Sequence, residues 1–295
     1  MKAPRSAIAF LAVGLFAASQ SGNIIRIGDA HPAAIAGWRL LIATALMLPL
    51  ALPRMAGVRD LGGRGLALLV LAGAALALHF ITWIAAVQYT TVATAAIFFS
   101  VNPVLTALGG RIFYGERGSP RLALSIGLGL AGAVVLGASD LRSAPGNLLG
   151  DGLALLCSLL FTAYMLLGKR VRLTLDNRVY VTLLYGVAAA VAFASMRAMD
   201  VPATGYTPRT WLCFLLMALL PTMLGHTSFN YALRWIDAGR ISVLTLSEPA
   251  LAGLVAWWAW GEQPGPATLA GYALVCLSVL VLVTEKRVPA PPEGP

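Results

Sequence analysis

The chain contains 295 residues, of which 59% are hydrophobic and only 11% are charged, and its mean hydropathy is +0.81. Because an ordinary soluble domain carries about 25% charged residues, this composition excludes a soluble protein and predicts an all-α integral membrane protein. The net charge of +9 does not indicate a nucleic-acid partner, since basic loops between apolar helices orient those helices in a bilayer.

Ten apolar runs are long enough to cross the bilayer, and they leave no room for a separate soluble domain. The first follows Lys2 and Arg5, as in a cleaved signal peptide, but it continues through Ile27 and is longer than a signal core. The predicted transmembrane helices are 6–27, 31–52, 64–88, 91–114, 120–139, 148–168, 178–197, 209–234, 238–261 and 266–284. Residues 289–295 are predicted to form a short disordered tail.

The lysines and arginines fall mainly on one side of this ten-helix arrangement. Sixteen of the 21 lie on the side that holds both termini, four lie on the other side, and Arg39 lies inside the second run. Positive charge concentrates in cytoplasmic loops. We therefore expect a multi-pass protein of the bacterial inner membrane with both termini in the cytoplasm.

Two motifs recur at a fixed offset of 146 residues. They are Asn102-Pro103 with Gly115-Glu116 in the fourth run, and Glu248-Pro249 with Gly261-Glu262 in the ninth. Matched offsets along the chain indicate a duplicated five-helix unit, with a first repeat over 1–143 and a second over 144–288. Because five is odd, the second repeat enters the membrane from the opposite face. Inverted repeats are typical of alternating-access transporters, whose substrate site lies near the bilayer midplane.

The doubled proline and Gly-Glu motifs, the ten runs and the arginine in the second run resemble the EamA-type transporters of the drug/metabolite transporter superfamily. The spacing from Pro103 to Glu116 and from Pro249 to Glu262 is thirteen residues in both halves. This resemblance implies ten helices around a central cavity and export of small metabolites such as amino acids, with the aromatic amino-acid exporters as one candidate branch. The first run has Phe16-Ala17-Ala18 where the family often has a Trp-Gly pair.

Glu248 is the acidic residue that the sequence places deepest in the membrane. It lies near the middle of its run, next to Pro249, where an ionised carboxylate costs roughly 2.5–3.5 kcal/mol and usually faces a cavity or a partner. One interpretation is a cavity-lining group that contacts a substrate amine or carries a proton. The alternative is a structural carboxyl that is protonated or paired.

Two histidines occupy matched positions in the two halves. His79 and Trp83 are four residues apart in the third run, and His226 and Asn230 repeat that spacing in the eighth, so each pair shares a helix face. Counting residues along inverted helices places His79 in the outer half of the membrane and His226 in the cytoplasmic half. Each is either a ligand or proton carrier, or a packed, hydrogen-bonded residue of the bundle.

The remaining candidates are polar or aromatic side chains that line a pathway or hold helices together. The other candidate substrate-binding residues are Gln20, Asn23, Phe98, Phe99, Asn102 and Tyr164. Arg39 either pairs with a substrate carboxylate or serves as a snorkelling or interhelical structural residue. Proline interrupts helical hydrogen bonding, which predicts hinges at Pro103, Pro221, Gly225 and Pro249.

The segment Gly127-Leu128-Gly129-Leu130-Ala131-Gly132 matches the dinucleotide-binding fingerprint letter for letter. That motif requires a preceding strand, whereas this segment lies inside an apolar run. We interpret it as a stripe of small residues that lets two helices approach closely.

These patterns predict a secondary transporter that exports small metabolites, with amino acids as the leading class, by alternating access. Efflux of cationic or aromatic drugs is the alternative, because a midplane Glu248 with aromatic walls suits a lipophilic cation. A membrane enzyme is the least favoured reading, since no nucleophile with a base, metal cluster or carboxylate pair assembles. The expected partners are a small-molecule substrate and the lipid bilayer, with no cofactor or metal, and the sequence is compatible with a monomer.

Overall fold

The computed structural model describes residues 4–90, 92–143 and 148–285, and every regular element within these ranges is helical. The α-helices are α1 Arg5–Ser19, α2 Ser21–Ile25, α3 Pro32–Ala51, α4 Gly62–Tyr89, α5 Val92–Phe99, α6 Asn102–Tyr114, α7 Pro120–Ser143, α8 Leu148–Arg172, α9 Asn177–Ala198, α10 Pro208–Met217, α11 Thr227–Ala232, α12 Ala238–Thr245, α13 Glu248–Trp260 and α14 Pro266–Val283. A 3-10 helix, Leu52–Leu61, joins α3 to α4, and a π-helical segment, Ala218–His226, joins α10 to α11. The predicted tail 289–295 lies outside the described residues.

Nine helical stretches in the described ranges are long and apolar enough to cross a membrane. One of them, Pro32–Tyr89, is 58 residues long and contains both α3 and α4, which pack against each other. An all-helical membrane fold is therefore confirmed for the part of the chain that the structure describes.

Both proline motifs interrupt a helix. The run predicted at 91–114 is divided at Ser100-Val101 into α5 and α6, and the run predicted at 238–261 is divided at Leu246-Ser247 into α12 and α13. Pro103 and Pro249 occupy the first turn of α6 and α13, where a residue without an N–H group leaves no intrahelical hydrogen bond unmade. Each motif thus starts a new helix near the middle of its predicted apolar run.

The eighth predicted run, 209–234, is irregular around Pro221, where the π-helical segment replaces α-helix. Its wide turns leave backbone carbonyls that side chains satisfy. The Thr222 hydroxyl donates to the Met217 carbonyl at 2.8 Å, and the Tyr185 hydroxyl donates to the Thr222 carbonyl at 3.0 Å. Its sequence counterpart, α4, is α-helical throughout.

Helix packing places the core between elements that are far apart in sequence. Helix α4 packs along α8 and α9, α3 packs along α9, and α1 packs along the π-helical segment. Helices α7 and α14 approach each other closely at Gly132. A Cβ atom added there would lie only 3.0 Å from the Gly271 carbonyl oxygen, so a larger residue would not fit without a shift. The glycine-rich stretch of α7 is thus a packing surface within a long helix, as interpreted from sequence.

Candidate substrate cavity

A central cavity of about 480 Å³ lies among the helices, and residues from both halves of the chain line it. It extends from Arg39 and the two histidines to Arg26 and Glu262 at one end of the bundle. From the first half, the lining includes Ser19, Asn23, Arg26, Arg39, His79, Phe80, Trp83, Phe99 and Ser100. From the second half it includes Phe161, Pro221, His226, Phe229, Thr245, Glu248, Pro249, Glu262 and Tyr272.

Eight of the sequence-predicted candidates lie on this cavity. They are Asn23, His79, Trp83, Phe99, His226 and Glu248, together with the predicted hinge residues Pro221 and Pro249. Glu248 is half-buried at the start of α13. The Asn23 amide donates to the Gln20 side chain at 2.9 Å and to the Ala252 carbonyl at 3.1 Å, so it joins the α1–α2 break to α13.

The two histidines lie side by side, with ring centroids 5.9 Å apart. Residue counting places the histidines in different halves of the membrane, but their contact means that they do not serve separate ends of a pathway. His226 is the last residue of the π-helical segment, where counting along a regular α-helix does not give the position of a side chain. The His79 Nδ1 atom lies 3.2 Å from the Cys157 carbonyl, while the His226 Nδ1 atom has no hydrogen-bond partner in the described structure.

Aromatic rings surround the histidines. Phe161 lies 5.1 Å from the His79 ring, Phe80 lies 4.8 Å from the His226 ring edge-to-face, and Phe99 lies 5.5 Å from Trp83, each between centroids. This wall is apolar except where the imidazoles and nearby polar groups interrupt it. It fits an apolar or aromatic group of a ligand.

Seven predicted residues do not line the cavity: Gln20, Phe98, Asn102, Tyr164, Asn230, Pro103 and Gly225. The Gln20 amide donates to Ser19 Oγ at 2.7 Å, and Phe98 packs against a small alanine cluster around Ala154. The Tyr164 ring lies behind His226, at 5.9 Å, and Asn230 donates to the His226 carbonyl at 2.8 Å. Asn102 is fully buried without a hydrogen-bond partner for either side-chain atom.

Arg39 is a cavity-lining residue for which the sequence allows more than one role. Its side chain is 1% exposed, its Nε donates to the Thr222 hydroxyl at 2.8 Å, and its guanidinium stacks 3.8 Å from the Phe80 ring centroid. In the sequence, Arg39 stands out as an isolated cationic residue inside an apolar run. The sequence does not indicate that Phe80 and Phe161 line the cavity, because a phenylalanine in a membrane helix carries no pattern that separates lining from packing.

The two Gly-Glu motifs have the same local structure. Gly115 and Gly261 end α6 and α13 at φ +64° and +70°, the left-handed conformation that glycine adopts most readily. The backbone N–H groups of Glu116 and Glu262 then donate to carbonyls six residues back, in Gly110 and Ala256. The glycine in each motif thus turns the chain so that the glutamate follows the helix end.

Each motif glutamate forms an ion pair with the other half of the chain. Glu116 pairs with Lys169, and the Lys169 Nζ also lies 3.7 Å from an Asp237 carboxylate oxygen. Glu262 pairs with Arg26 at 2.6 Å. Asp237 precedes α12 and Glu262 follows α13, so the two pairs lie at opposite ends of one broken helix. We call them the Glu116 end and the Glu262 end.

The two ends differ in burial. The Lys169 and Glu116 side chains are 13% and 10% exposed, whereas Arg26 and Glu262 are 45% and 51% exposed and line the cavity. Burial raises the pKa of Glu116, although Lys169 opposes that shift and Asp237 adds to it. The ion pair at the Glu116 end is therefore the more buried of the two, and the central cavity reaches the Glu262 end.

Comparison with known proteins identifies the family. The model of the EamA-like transporter family matches the chain twice, over residues 5–138 and 148–284. The chain belongs to the EamA-like transporter family. This EamA protein is thus a multi-pass membrane transporter of the drug/metabolite transporter superfamily.

Relatives of this EamA protein include two proteins that match over most of its length. An uncharacterized transporter of Archaeoglobus fulgidus is 26% identical over 89% of this chain and 92% of its own. The uncharacterized transporter YwfM of Bacillus subtilis is 24% identical over 94% of both chains. The chloramphenicol-sensitive protein RarD of Pseudomonas aeruginosa is 28% identical over 61% of this chain and 57% of its own. A solved crystal structure shares the fold, with a TM-score of 0.79 at 20% identity, covering 95% of this chain and 96% of that one.

The side chains of the EamA cavity do not form a metal site within the described residues, where no three His, Cys, Asp or Glu side chains lie close enough together. The chemistry that the cavity presents is a guanidinium, a carboxyl group, two imidazoles and aromatic rings. These groups suit reversible binding of a small polar solute.

Proposed function

We propose that this protein is a secondary transporter that exports small metabolites, with amino acids as the main substrate class, by alternating access. The main support for this proposal is the central cavity, which both halves of the chain line. It contains a half-buried Glu248 beside aromatic walls. In this proposal the protein spans the bacterial inner membrane ten times as two inverted five-helix repeats, residues 1–143 and 144–288.

The packing pattern supports two inverted repeats. Counting α3 and α4 as separate crossings gives ten spans. Contacts between a helix of the first half and a helix of the second half then have reciprocal contacts between their counterparts. Helix α4 packs on α8 while the π-helical segment packs on α1, and α7 packs on α14. Such reciprocal contacts are expected when a two-fold axis in the membrane plane relates the repeats.

Charge distribution supports the orientation. Four basic residues lie in the terminal helix turns and the loop near the Glu116 end, and positive charge concentrates on the cytoplasmic side; they are Arg111, Arg117, Lys169 and Arg240. The Glu116 end is then cytoplasmic and the Glu262 end periplasmic. Under this proposal, the cavity that reaches the Glu262 end is open towards the periplasm.

Glu248 is the proposed partner of the substrate amine. Its carboxyl group starts α13 at the break of a discontinuous helix, a position at which transporters commonly bind substrates or coupling ions. An amino-acid side chain would then lie against Phe99, Phe161 and Trp83.

Counterflow into proteoliposomes with a pool of labelled amino acids tests this proposal. We expect saturable exchange of a subset of the pool, and Glu248→Gln should lower the initial rate at least about tenfold because it removes the charge that pairs with the amine. Asp200→Asn is the matched control, since the Asp200 side chain is exposed and does not line the cavity. Unchanged exchange in Glu248→Gln, or no exchange by folded wild-type protein, would refute the proposed site or substrate class respectively.

Efflux of cationic or aromatic drugs is the second candidate. The same carboxyl group surrounded by aromatic rings favours it, because such rings bind lipophilic cations through cation–π contacts. Exchange of a lipophilic cation by proteoliposomes that exchange no amino acid would support this alternative.

A further inference from the structure

We propose that Arg39 binds a carboxylate of the transported solute, so that the cavity selects solutes with a free carboxylate. The inference rests on the proposed transport function and extends it by assigning a second polar contact. Arg39 lines the cavity, yet none of the seven ion pairs in the described structure includes it. Its Nη2 atom is buried without a hydrogen-bond partner.

The surroundings of Arg39 fix its position and leave one edge of the guanidinium free. Its Nε donates to the Thr222 hydroxyl, and the plane of the group stacks on Phe80. These contacts hold the group in place and supply no negative charge. A guanidinium presents paired N–H donors in the geometry of a carboxylate, which two parallel hydrogen bonds can then bind.

A second buried arginine shows that burial alone does not leave such a free edge. Arg172 is also 1% exposed, but its Nε donates to the Asn230 carbonyl at 2.9 Å and its Nη1 donates to the Leu175 carbonyl. It does not line the cavity. Arg172 thus joins α8 to neighbouring backbone and is a structural residue, whereas Arg39 retains an unused donor in a cavity wall.

The charge balance of the cavity indicates which solutes bind. A cation in a membrane interior without an anionic partner is unfavourable, so an arriving carboxylate gains a strong interaction. Together Arg39 and Glu248 offer opposite charges to a zwitterion. A carboxylate is also the feature that separates an amino acid from the cationic drugs of the alternative proposal, which Arg39 would repel.

Four probes with one phenyl side chain separate the contributions of the two charges. They are phenylalanine, phenylalaninamide, 3-phenylpropionate and 2-phenylethylamine, which vary the carboxylate and the amine independently. Binding to purified wild-type protein is measured as a shift in thermal unfolding temperature and as quenching of tryptophan fluorescence, which includes that of Trp83 on the cavity wall. We expect phenylalanine to bind at least about tenfold more tightly than its amide, because a hydrogen-bonded ion pair is lost in the amide.

Variants assign that preference to a residue. Arg39→Gln should abolish the preference for phenylalanine over its amide, and Arg39→Lys should restore part of it. Arg172→Gln should lower the unfolding temperature without changing the preference. Should Arg39→Gln fail to fold, the wild-type probe series and Arg39→Lys still decide the question.

The outcomes separate this inference from the proposed function. Equal binding of phenylalanine and its amide, or binding of 2-phenylethylamine with rejection of both carboxylates, would overturn the role of Arg39, as would an unchanged preference in Arg39→Gln. Binding of 3-phenylpropionate that depends on Arg39, without exchange of any amino acid in proteoliposomes, would uphold the carboxylate site and overturn amino acids as the transported class.

Discussion

The Glu116 end and the Glu262 end use the same motif in different surroundings. Each has a proline-started helix that ends at a left-handed glycine and an ion pair from the following glutamate to the other half of the chain. At the Glu116 end the pair is buried and near a second carboxylate, while at the Glu262 end it is half exposed. One motif therefore forms a buried ion pair at one end and a half-exposed ion pair at the other, a difference that the proposed alternating access would use.

Breaking the buried ion pair between Glu116 and Lys169 should have the largest effect on the accessibility of the Glu116 end. Lys169→Met leaves Glu116 and Asp237 without their shared cation, and we expect it to favour opening of the Glu116 end by up to about 3 kcal/mol. A reporter cysteine at Ser242, which is fully buried in α12 beside α6, should then react faster with a water-soluble maleimide by at least about tenfold.

The background for that measurement replaces Cys157, Cys213 and Cys276, and Lys169→Arg serves as the charge-preserving control. Identical labelling in Lys169→Met and Lys169→Arg would show that the ion pair does not hold the Glu116 end closed.

Replacing the glycines that end α6 and α13 should lower the stability of the protein by similar, intermediate amounts. Alanine at φ +64° or +70° is strained by about 1–2 kcal/mol, and no atom lies within 4 Å of the added Cβ at either position. Gly115→Ala and Gly261→Ala should therefore lower the unfolding temperature of the purified protein to a similar extent. A loss confined to one variant would mean that the two motifs are not equivalent in local structure.

Removing the half-exposed ion pair between Arg26 and Glu262 should have the smallest effect on the accessibility of the Glu116 end. Glu262→Gln breaks a half-exposed ion pair of a kind that contributes at most about 1 kcal/mol. We expect maleimide labelling at Ser242→Cys to change less than about threefold, since the substitution lies at the opposite end of the bundle. An effect as large as that of Lys169→Met would contradict this difference between the buried and the half-exposed ion pairs.

Much of this architecture can be predicted from the sequence, because membrane helices require long apolar runs and the repeat fixes the spacing of its motifs. The breaks beside Asn102 and Glu248 follow from proline chemistry. The contact between His79 and His226 cannot be predicted in this way, because it depends on how separate helices pack against each other. The sequence likewise does not reveal that Tyr164 and Asn230 contact His226 without lining the cavity.

Arg39 illustrates the remaining limit of the sequence. A lone arginine in an apolar run is compatible with a substrate contact, a snorkelling side chain or an interhelical bond, and only the positions of its neighbours separate these roles. Phe80 and Thr222 are those neighbours, and each comes from a different helix.

Thr222 connects two features that are usually considered separately. Its hydroxyl accepts a hydrogen bond from Arg39 while donating to the carbonyl of Met217, the last residue of α10 before the π-helical segment. A helix that changes from π to α geometry shifts its register by one residue, which rotates the following side chains by about 100° about the helix axis. Such a turn would release Arg39 from Thr222 and swing His226 away from its present neighbours in the same motion. The Thr222 hydroxyl thus links a cavity-lining arginine to the backbone hydrogen bonding of the irregular helix beside it.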